Sequence, residues 1–284
     1  MRGTSEARFG PDWSASLRRG SDAELRGWVE TALGWCDDTD RIALEHFRAH
    51  PHTIRKPDGT FVTTADTSIE AFVLDRLTET YPTHGAFGEE LGDRPGSSGI
   101  SWYIDPIDGT HNYLRGVPIF GTLLAVERDG ELQAAVVSAP AMGGRWYGWR
   151  GGGAWARTLG DEAPRRIAVS AIATIDDASI LYTSRPTIDR SGLAPGFDSL
   201  LEAAWRDRGF GDFWSYMLVA EGAADAMVEV GLKPWDAAAP TLLVEEAGGR
   251  VTDLDSRRSV DAPSILATNG HLHEAMRSIL AGRG

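Results

Sequence analysis

The chain has 284 residues, of which 42% are hydrophobic and 24% are charged, proportions typical of a globular protein. Its formal net charge of −13 argues against nucleic acid as a partner, because nucleic-acid binding depends on a basic surface. Its apolar runs, such as Leu123 to Val126, are far shorter than the roughly 20 residues of a membrane-spanning helix, so we expect no membrane partner.

The first residues and the cysteine content bear on the cellular compartment. Cys36 is the only cysteine, which excludes an intrachain disulfide and a cysteine zinc cluster. The N-terminus carries Arg2 and Arg8 and lacks the apolar segment of a secretory signal. We therefore expect a cytoplasmic protein. Residues 1–20, rich in Gly, Ser and Arg, are predicted to form a mobile N-terminal tail.

Hydrophobic periodicity predicts helices first and strands afterwards. Apolar residues at helical spacing from Leu25 to Cys36 predict one helix, and those from Ile69 to Leu77 predict another that ends before Pro82. The sequence then favours strands, with a strong hairpin signal at Asp129-Gly130 between residues 119–127 and 132–138.

Helices and strands alternate in the remainder of the chain, after Val169. An α/β or α+β layered fold fits this order best, with an N-terminal half over residues 21–168 and a C-terminal half over 169–284, tightly joined. Helices are predicted for residues 213–222, 236–248 and 271–280, and strands for 226–229, 250–252 and 264–267.

An acidic segment, Asp105-Pro106-Ile107-Asp108-Gly109-Thr110, follows the apolar residues Trp102-Tyr103-Ile104. This order predicts that a strand ends there and delivers two carboxylates into a turn, with a helix starting at Thr110. Carboxylate and carbonyl oxygens suit a hard cation such as Mg²⁺. A solvated Asp-rich turn is the simpler alternative, since Asp and Gly are common in turns for backbone reasons.

Two further segments contribute carboxylates. Gly88-Glu89-Glu90 follows an apolar residue, and Trp235-Asp236 stands at a predicted helix start. Taken alone, Glu89-Glu90 is explained as a solvated charge pair and Asp236 as a helix N-cap. Together with the acidic segment they supply the carboxylates of a two-metal site. Bound cations would also allow so acidic a chain to accept an anionic substrate.

These segments, followed by Glu246-Ala247-Gly248-Gly249, resemble the signatures of the inositol monophosphatase family in order and spacing, from about Ala23 to the end of the chain. The resemblance implies the fructose-bisphosphatase-like fold, an αβαβα sandwich that is usually a homodimer. It also implies a Mg²⁺-dependent phosphatase that acts on a small phosphorylated alcohol.

The resemblance further implies roles for single residues. Asp66, in the segment Val62 to Asp66, would act with Thr110 to orient a nucleophilic water, and Glu89 would share in catalysis. The amides of Gly109 and Thr110 would hold the phosphate. Most metal ligands would come from the N-terminal half and the last from the C-terminal half. Two or three Mg²⁺ ions would be bound by Glu89, Asp105, the Ile107 carbonyl, Asp108 and Asp236, the last of which would also contact substrate.

The segment Gly211 to Tyr216 resembles the histidinol-phosphatase branch of the family, of actinobacterial type. Asp212 and Glu229 would then form an acidic pocket suited to the ammonium of histidinol, which makes histidinol phosphate the predicted substrate. Asp212 as a helix N-cap is the simpler alternative. His111 is interpreted as either a substrate contact or an exposed side chain.

Two other functions remain open at this point. A neutral polyol would also be bound, because carboxylates accept hydrogen bonds from hydroxyl groups, so the chain could hydrolyse inositol 1-phosphate or a broader set of sugar phosphates. A cation-binding or regulatory protein that kept the fold but lost catalysis is the alternative from another class.

Overall fold

The computed structural model describes residues 22–49, 52–57 and 59–282, so the predicted tail over residues 1–20 lies outside the described residues. No helix in the described ranges is long and apolar enough to span a membrane. The helices are α1 (Asp22–His46), α2 (Thr64–Thr80), α3 (Thr110–Leu114), α4 (Arg185–Ser191), α5 (Ala194–Ala203), α6 (Asp212–Ala220), α7 (Pro234–Glu246) and α8 (His273–Leu280).

Strands form a hairpin, a seven-stranded sheet and a five-stranded sheet. The hairpin pairs β1 (Thr53–Arg55) with β2 (Phe61–Thr63). The first sheet runs, in spatial and chain order, through β3 (Gly85–Gly88), β4 (Ile100–Asp108), β5 (Gly121–Arg128), β6 (Glu131–Ala139), β7 (Gly144–Trp149), β8 (Gly153–Arg157) and β9 (Arg165–Ile167). The second has the order β11 (Arg206–Arg208), β10 (Ser179–Tyr182), β12 (Ala226–Val230), β14 (Ser264–Thr268) and β13 (Arg250–Thr252).

The helices and the two sheets form five layers because each central strand buries both faces. Along β4, Trp102 and Ile104 point toward α1 and α2, whereas Tyr103 points to the opposite face, where α6 and α7 pack. Helix α7 contacts strands of both sheets, and α5 and α8 cover the outer face of the second. The predicted αβαβα sandwich is therefore confirmed.

Most elements predicted from periodicity are confirmed, with shifted ends. The predicted hairpin is the two-residue connection between β5 and β6, where Asp129 and Gly130 have φ of 51° and 87°. Positive φ at both positions is the requirement of a type I′ turn. The chain passes from the first sheet to the second between β9 and β10. Buried side chains of both sheets nevertheless belong to one core cluster with α6 and α7. The division at residue 168 stays a prediction.

His273, at the start of α8, is fully buried and joins two strands of the second sheet. Its Nε2 lies 2.8 Å from Thr252 Oγ1 on β13, and its Nδ1 lies 3.0 Å from Thr268 Oγ1 on β14. Burial, with a smaller contribution from the charge of Arg250, lowers the pKa of His273 to about 4. The imidazole is therefore neutral in the folded protein at neutral pH.

This lowered pKa predicts an acid-sensitive contribution to stability. Below the ordinary histidine pKa the unfolded chain binds the proton first, so stability is lost as pH falls from about 6.5 to about 4. We expect this to amount to about 3 kcal/mol, about 1.4 kcal/mol for each unit of pKa difference. Urea unfolding of the wild type and His273→Gln across that window measures it; a constant difference between the two proteins would contradict the prediction.

Candidate active site

The two aspartates of the acidic segment lie in strand β4. The sequence predicted a strand end before Asp105, but the strand continues to Asp108. Its pairing with β5 shifts by one residue between Asp105, opposite Leu123, and Asp108, opposite Gly121. In a regular strand, residues three apart point to opposite faces; the extra residue of this bulge brings both carboxylates to one side.

The segment after the bulge is held by local hydrogen bonds. Thr122 Oγ1 donates to the Pro106 carbonyl at 2.9 Å, and Thr110 Oγ1 donates to the Ile107 carbonyl at 3.0 Å. Gly109 has φ of 80°, and a Cβ there would lie 2.9 Å from the Ile119 carbonyl oxygen. Helix α3 then begins at Thr110, as predicted.

Asp105 is 1% exposed, so the alternative of a solvated turn is wrong. Burial raises its pKa well above the usual range, with a further contribution from the charges of Glu89 and Asp108 and, after these, Asp236 and Asp66. Several carboxylates from separate elements therefore lie close enough to repel one another.

Asp66 caps the helix on which it lies. Its Oδ2 accepts from the Thr63 amide at 2.8 Å and from Thr63 Oγ1 at 2.5 Å, which completes a capping box at the start of α2. Its Oδ1 is buried and has no hydrogen-bond partner. No hydrogen bond joins Asp66 to Thr110 among the described residues, so their joint role in orienting water stays a prediction.

Glu89 is positioned by a second carboxylate of α2 that the sequence analysis did not identify. Glu70 is fully buried, and its two oxygens accept from the amides of Glu90 at 2.7 Å and Leu91 at 2.8 Å. A Cβ at Gly88 would lie 2.1 Å from Glu70 Oε1. The turn that carries Glu89 therefore rests directly on Glu70, and glycine is required beside it.

Lys56, which follows β1, pairs with this turn. Its Nζ lies 2.9 Å from Glu89 Oε1 and 2.7 Å from Glu90 Oε1, so the alternative of a solvated Glu89-Glu90 pair is wrong. The sequence held a signal for this residue, because Lys56 and Lys233 are the only lysines of the chain, and Lys233 comes three residues before Asp236.

Asp236 lies at the start of α7, but it is not the N-cap. Lys233 occupies that position, and Asp236 Oδ2 accepts from the Lys233 amide at 2.8 Å. Burial is the main cause that raises the Asp236 pKa to about 7, and nearby carboxylates, Glu229 among them, add to it. Pro240 lies inside α7 and cannot donate to the carbonyl four residues earlier, that of Asp236.

Asp212 is the first residue of α6, and Gly211 is its N-cap position, so the alternative of an Asp212 N-cap is wrong. Asp212 has φ of 52°, and its Oδ2 accepts from Asn112 Nδ2 at 3.1 Å. The Phe213 amide donates to Asp108 Oδ2 at 2.5 Å, which ties α6 to the bulge. Burial and the charge of Glu229 raise the Asp212 pKa to about 7.

A cavity of about 240 Å³ is lined by predicted metal ligands together with predicted substrate residues. Asp108, Asp236, Asp212 and Glu229 all line it, beside Thr183 and Tyr216. The structure therefore brings the predicted substrate residues next to two of the predicted metal ligands. His111 is exposed and contacts the Phe61 ring edge-on, with ring centroids 5.5 Å apart.

Comparison with known proteins agrees with this geometry. The model of the inositol monophosphatase family matches residues 25–282. The chain belongs to the inositol monophosphatase family.

Relatives within the family carry two different names. The histidinol-phosphatase of Mycobacterium tuberculosis is 43% identical over 244 residues, which cover 86% of this chain and 94% of that protein. The inositol-1-monophosphatase of Rhizobium meliloti is 35% identical over 231 residues, 79% and 84% of the two chains. The extragenic suppressor protein suhB of Bartonella henselae has the same fold, with a TM-score of 0.82 at 26% identity over 89% of this chain and 98% of that one. As a member of this family, the protein is a phosphoric monoester hydrolase.

The inositol monophosphatase family is metal-dependent, and the residues present fit a hard divalent cation. Their donors are all oxygens, and the buried Oδ1 atoms of Asp66 and Asp105 have no hydrogen-bond partner in the described part of the chain. No three His, Cys, Asp or Glu side chains among the described residues are already gathered as a complete metal-binding group. Mg²⁺ does not require such a complete group, because it keeps several waters and needs few protein ligands.

Because Glu70 holds the turn that carries the predicted metal ligand Glu89, we expect Glu70→Gln to lower the affinity for Mg²⁺. Glutamine offers one oxygen, so one of the two amides would face an NH₂ group, and the turn carrying Glu89 would shift. We expect the Mg²⁺ concentration for half-maximal activity to rise about tenfold, with kcat at saturating Mg²⁺ little changed. Titration of activity with Mg²⁺ tests this, with Glu79→Gln, exposed on the same helix, as the control. Identical titrations for both variants would contradict it.

Proposed function

We propose that the protein hydrolyses L-histidinol phosphate to L-histidinol and phosphate in the cytoplasm, as a Mg²⁺-dependent homodimer. The acidic cavity is the observation that carries this proposal. Glu229 is buried there and Asp212 is half-buried, beside Asp108 and Asp236, and none of the described residues that line the cavity is Lys, Arg or His. Neither Asp212 nor Glu229 belongs to an ion pair among the described residues. An ammonium group on the alcohol would supply the missing positive charge.

The residues divide the work between the phosphate and the alcohol. Glu89, Asp105, the Ile107 carbonyl, Asp108 and Asp236 would hold two or three Mg²⁺ ions. When bound, these ions polarise the phosphoryl group and lower the pKa of a water. The amides of Gly109 and Thr110 would hold the phosphate.

Asp66 has the free oxygen that a water-orienting group requires. Its Oδ2 is committed to Thr63, whereas its buried Oδ1 remains available to accept a hydrogen from the attacking water, and Thr110 would orient that water from the other side. Burial raises the Asp66 pKa to about 6, so the group is ionised at neutral pH and can serve as an acceptor. Catalysis would then depend mainly on positioning of the reacting groups and on electrostatic stabilisation of the transition state, as phosphoryl transfer requires.

Inositol 1-phosphate is the second candidate substrate, supported by the identity to the Rhizobium meliloti enzyme. Phosphate release from L-histidinol phosphate and from inositol 1-phosphate, measured side by side with Mg²⁺, decides between them. We expect a higher kcat/KM for histidinol phosphate. A preference for the inositol ester, or no turnover of histidinol phosphate, would overturn the proposal.

The role of Asp212 predicts a substrate-dependent loss. Asp212→Asn keeps the shape and the acceptor for Asn112 but removes one negative charge from the cavity. We expect kcat/KM to fall about tenfold or more for histidinol phosphate and by less than about threefold for inositol 1-phosphate, because hydrogen bonds to charged groups contribute roughly twice as much as neutral ones. Asp176→Asn, at an exposed position, is the control. Equal losses on both esters would remove Asp212 from recognition of the alcohol.

A further inference from the structure

The carboxylate of Glu229 is held by two hydroxyl groups from other elements. Thr183 Oγ1, just after β10, donates to Glu229 Oε1 at 2.6 Å, and the Tyr216 hydroxyl, on α6, donates to Oε2 at 2.6 Å. Glu229 itself lies on β12 and is 8% exposed. Two residues from separate parts of the chain, Thr183 and Tyr216, thus converge on one buried carboxylate.

These two donors determine what Glu229 can do. Burial raises the pKa of Glu229, and the hydrogen bonds donated to both oxygens oppose that rise, because they favour the ionised form. In that form the carboxylate acts only as an acceptor. Each oxygen keeps lone-pair capacity for a further donor from the cavity. Because both oxygens are anchored, the carboxylate cannot rotate without breaking a short hydrogen bond, so its orientation toward the cavity is set before a ligand enters.

The hydroxyl of Tyr216 orients Glu229, whereas its ring serves only to fill space in the core. The ring is 1% exposed and packs in the core cluster between the two sheets. A phenylalanine would fill that space equally well, yet the tyrosine hydroxyl is directed at Glu229. Thr183 likewise lines the cavity, and its hydroxyl donates its hydrogen bond to Glu229.

We propose that Tyr216 and Thr183 are positioning residues that fix Glu229 to receive a protonated amine, and that they thereby set the preference for an ammonium-bearing alcohol over a neutral polyol. This inference rests on the proposed function. A fixed carboxylate in a cavity whose described lining includes no basic side chain stabilises a cation strongly, whereas the hydroxyl of a polyol gains only an ordinary hydrogen bond.

Tyr216→Phe tests the proposal, because it removes one oxygen and keeps the packing. We expect KM for L-histidinol phosphate to rise about tenfold with kcat within about twofold, and KM for inositol 1-phosphate to change less than about twofold. Thr183→Val is expected to act in the same direction, and Thr183→Ser, which keeps the hydroxyl, to restore most of the affinity. Tyr147→Phe, on β7 and lining a different cavity, is the matched control.

The outcomes separate this inference from the proposed function. A wild-type enzyme that prefers inositol 1-phosphate overturns the proposed function, and with it the recognition of an amine. A wild-type preference for histidinol phosphate that survives unchanged in Tyr216→Phe overturns the inference alone. Equal rises in KM for both esters, or a fall in kcat alone, would show that the hydroxyl supports the fold or the metal site instead.

Discussion

Asp105→Asn is expected to lower kcat/KM by at least about 1,000-fold at millimolar Mg²⁺. Asparagine keeps the volume and one oxygen but removes the negative charge from a buried position where four other carboxylates act on it. A metal contributes several kcal/mol of charge stabilisation in the transition state, and 1,000-fold corresponds to about 4 kcal/mol. Phosphate release over a range of Mg²⁺ concentrations measures the loss.

The same variant has an opposite expected effect on stability, which separates a lost ligand from a lost fold. Without divalent cations, burial and the neighbouring carboxylates disfavour the ionised form of Asp105, so Asp105→Asn should melt at a higher temperature than the wild type in EDTA. Asp75→Asn, exposed on α2, should change neither activity nor melting. Normal turnover by Asp105→Asn, or a lower melting temperature in EDTA, would refute the assignment of Asp105 as a metal ligand.

Removal of divalent cations is expected to abolish activity and to destabilise the protein. The described carboxylates of the site then face one another with Lys56 as the cation beside Glu89. Added Mg²⁺ should restore phosphate release and raise the melting temperature, because a ligand that binds only the folded state stabilises it.

The affinity for Mg²⁺ should also depend on pH with a definite sign. Burial raises the pKa of Asp236 to about 7 in the metal-free protein, so below that pH a proton must leave before the metal binds. Apparent Mg²⁺ affinity should therefore weaken as pH falls from about 8 to about 6, with release of protons on binding. Calorimetry in two buffers of different ionisation enthalpy measures both. Full activity in EDTA, or an affinity independent of pH, would contradict this prediction.

Periodicity predicted the elements that bury a continuous apolar face. The helix from Leu25 to Cys36 and the hairpin at Asp129-Gly130 were found because local sequence and tertiary packing agree there. The bulge in β4 was not found. It depends on the register that β5 imposes and on the Thr122 hydroxyl sixteen positions away, and neither can be read from the acidic segment itself.

The candidate site shows the same limit. Glu70 was within reach of sequence reasoning, since it stands one helical turn after Asp66 on the same face of α2. Thr183 was not, because it meets Glu229 across 46 positions from outside any helix or strand. Residues that hold another side chain in place leave no local pattern, whereas a run of carboxylates does.

The hydrogen bond from the Phe213 amide to Asp108 influences how an enzyme built this way can evolve toward new substrates. The start of α6 carries both Asp212 and this amide, so a change there disturbs the alcohol pocket and the metal loop together. Thr183, just after β10, and Glu229, on β12, line the same pocket but share no hydrogen bond with the bulge among the described residues. Mutations that exchange one alcohol for another should therefore accumulate first around these two positions, where they disturb the metal loop least.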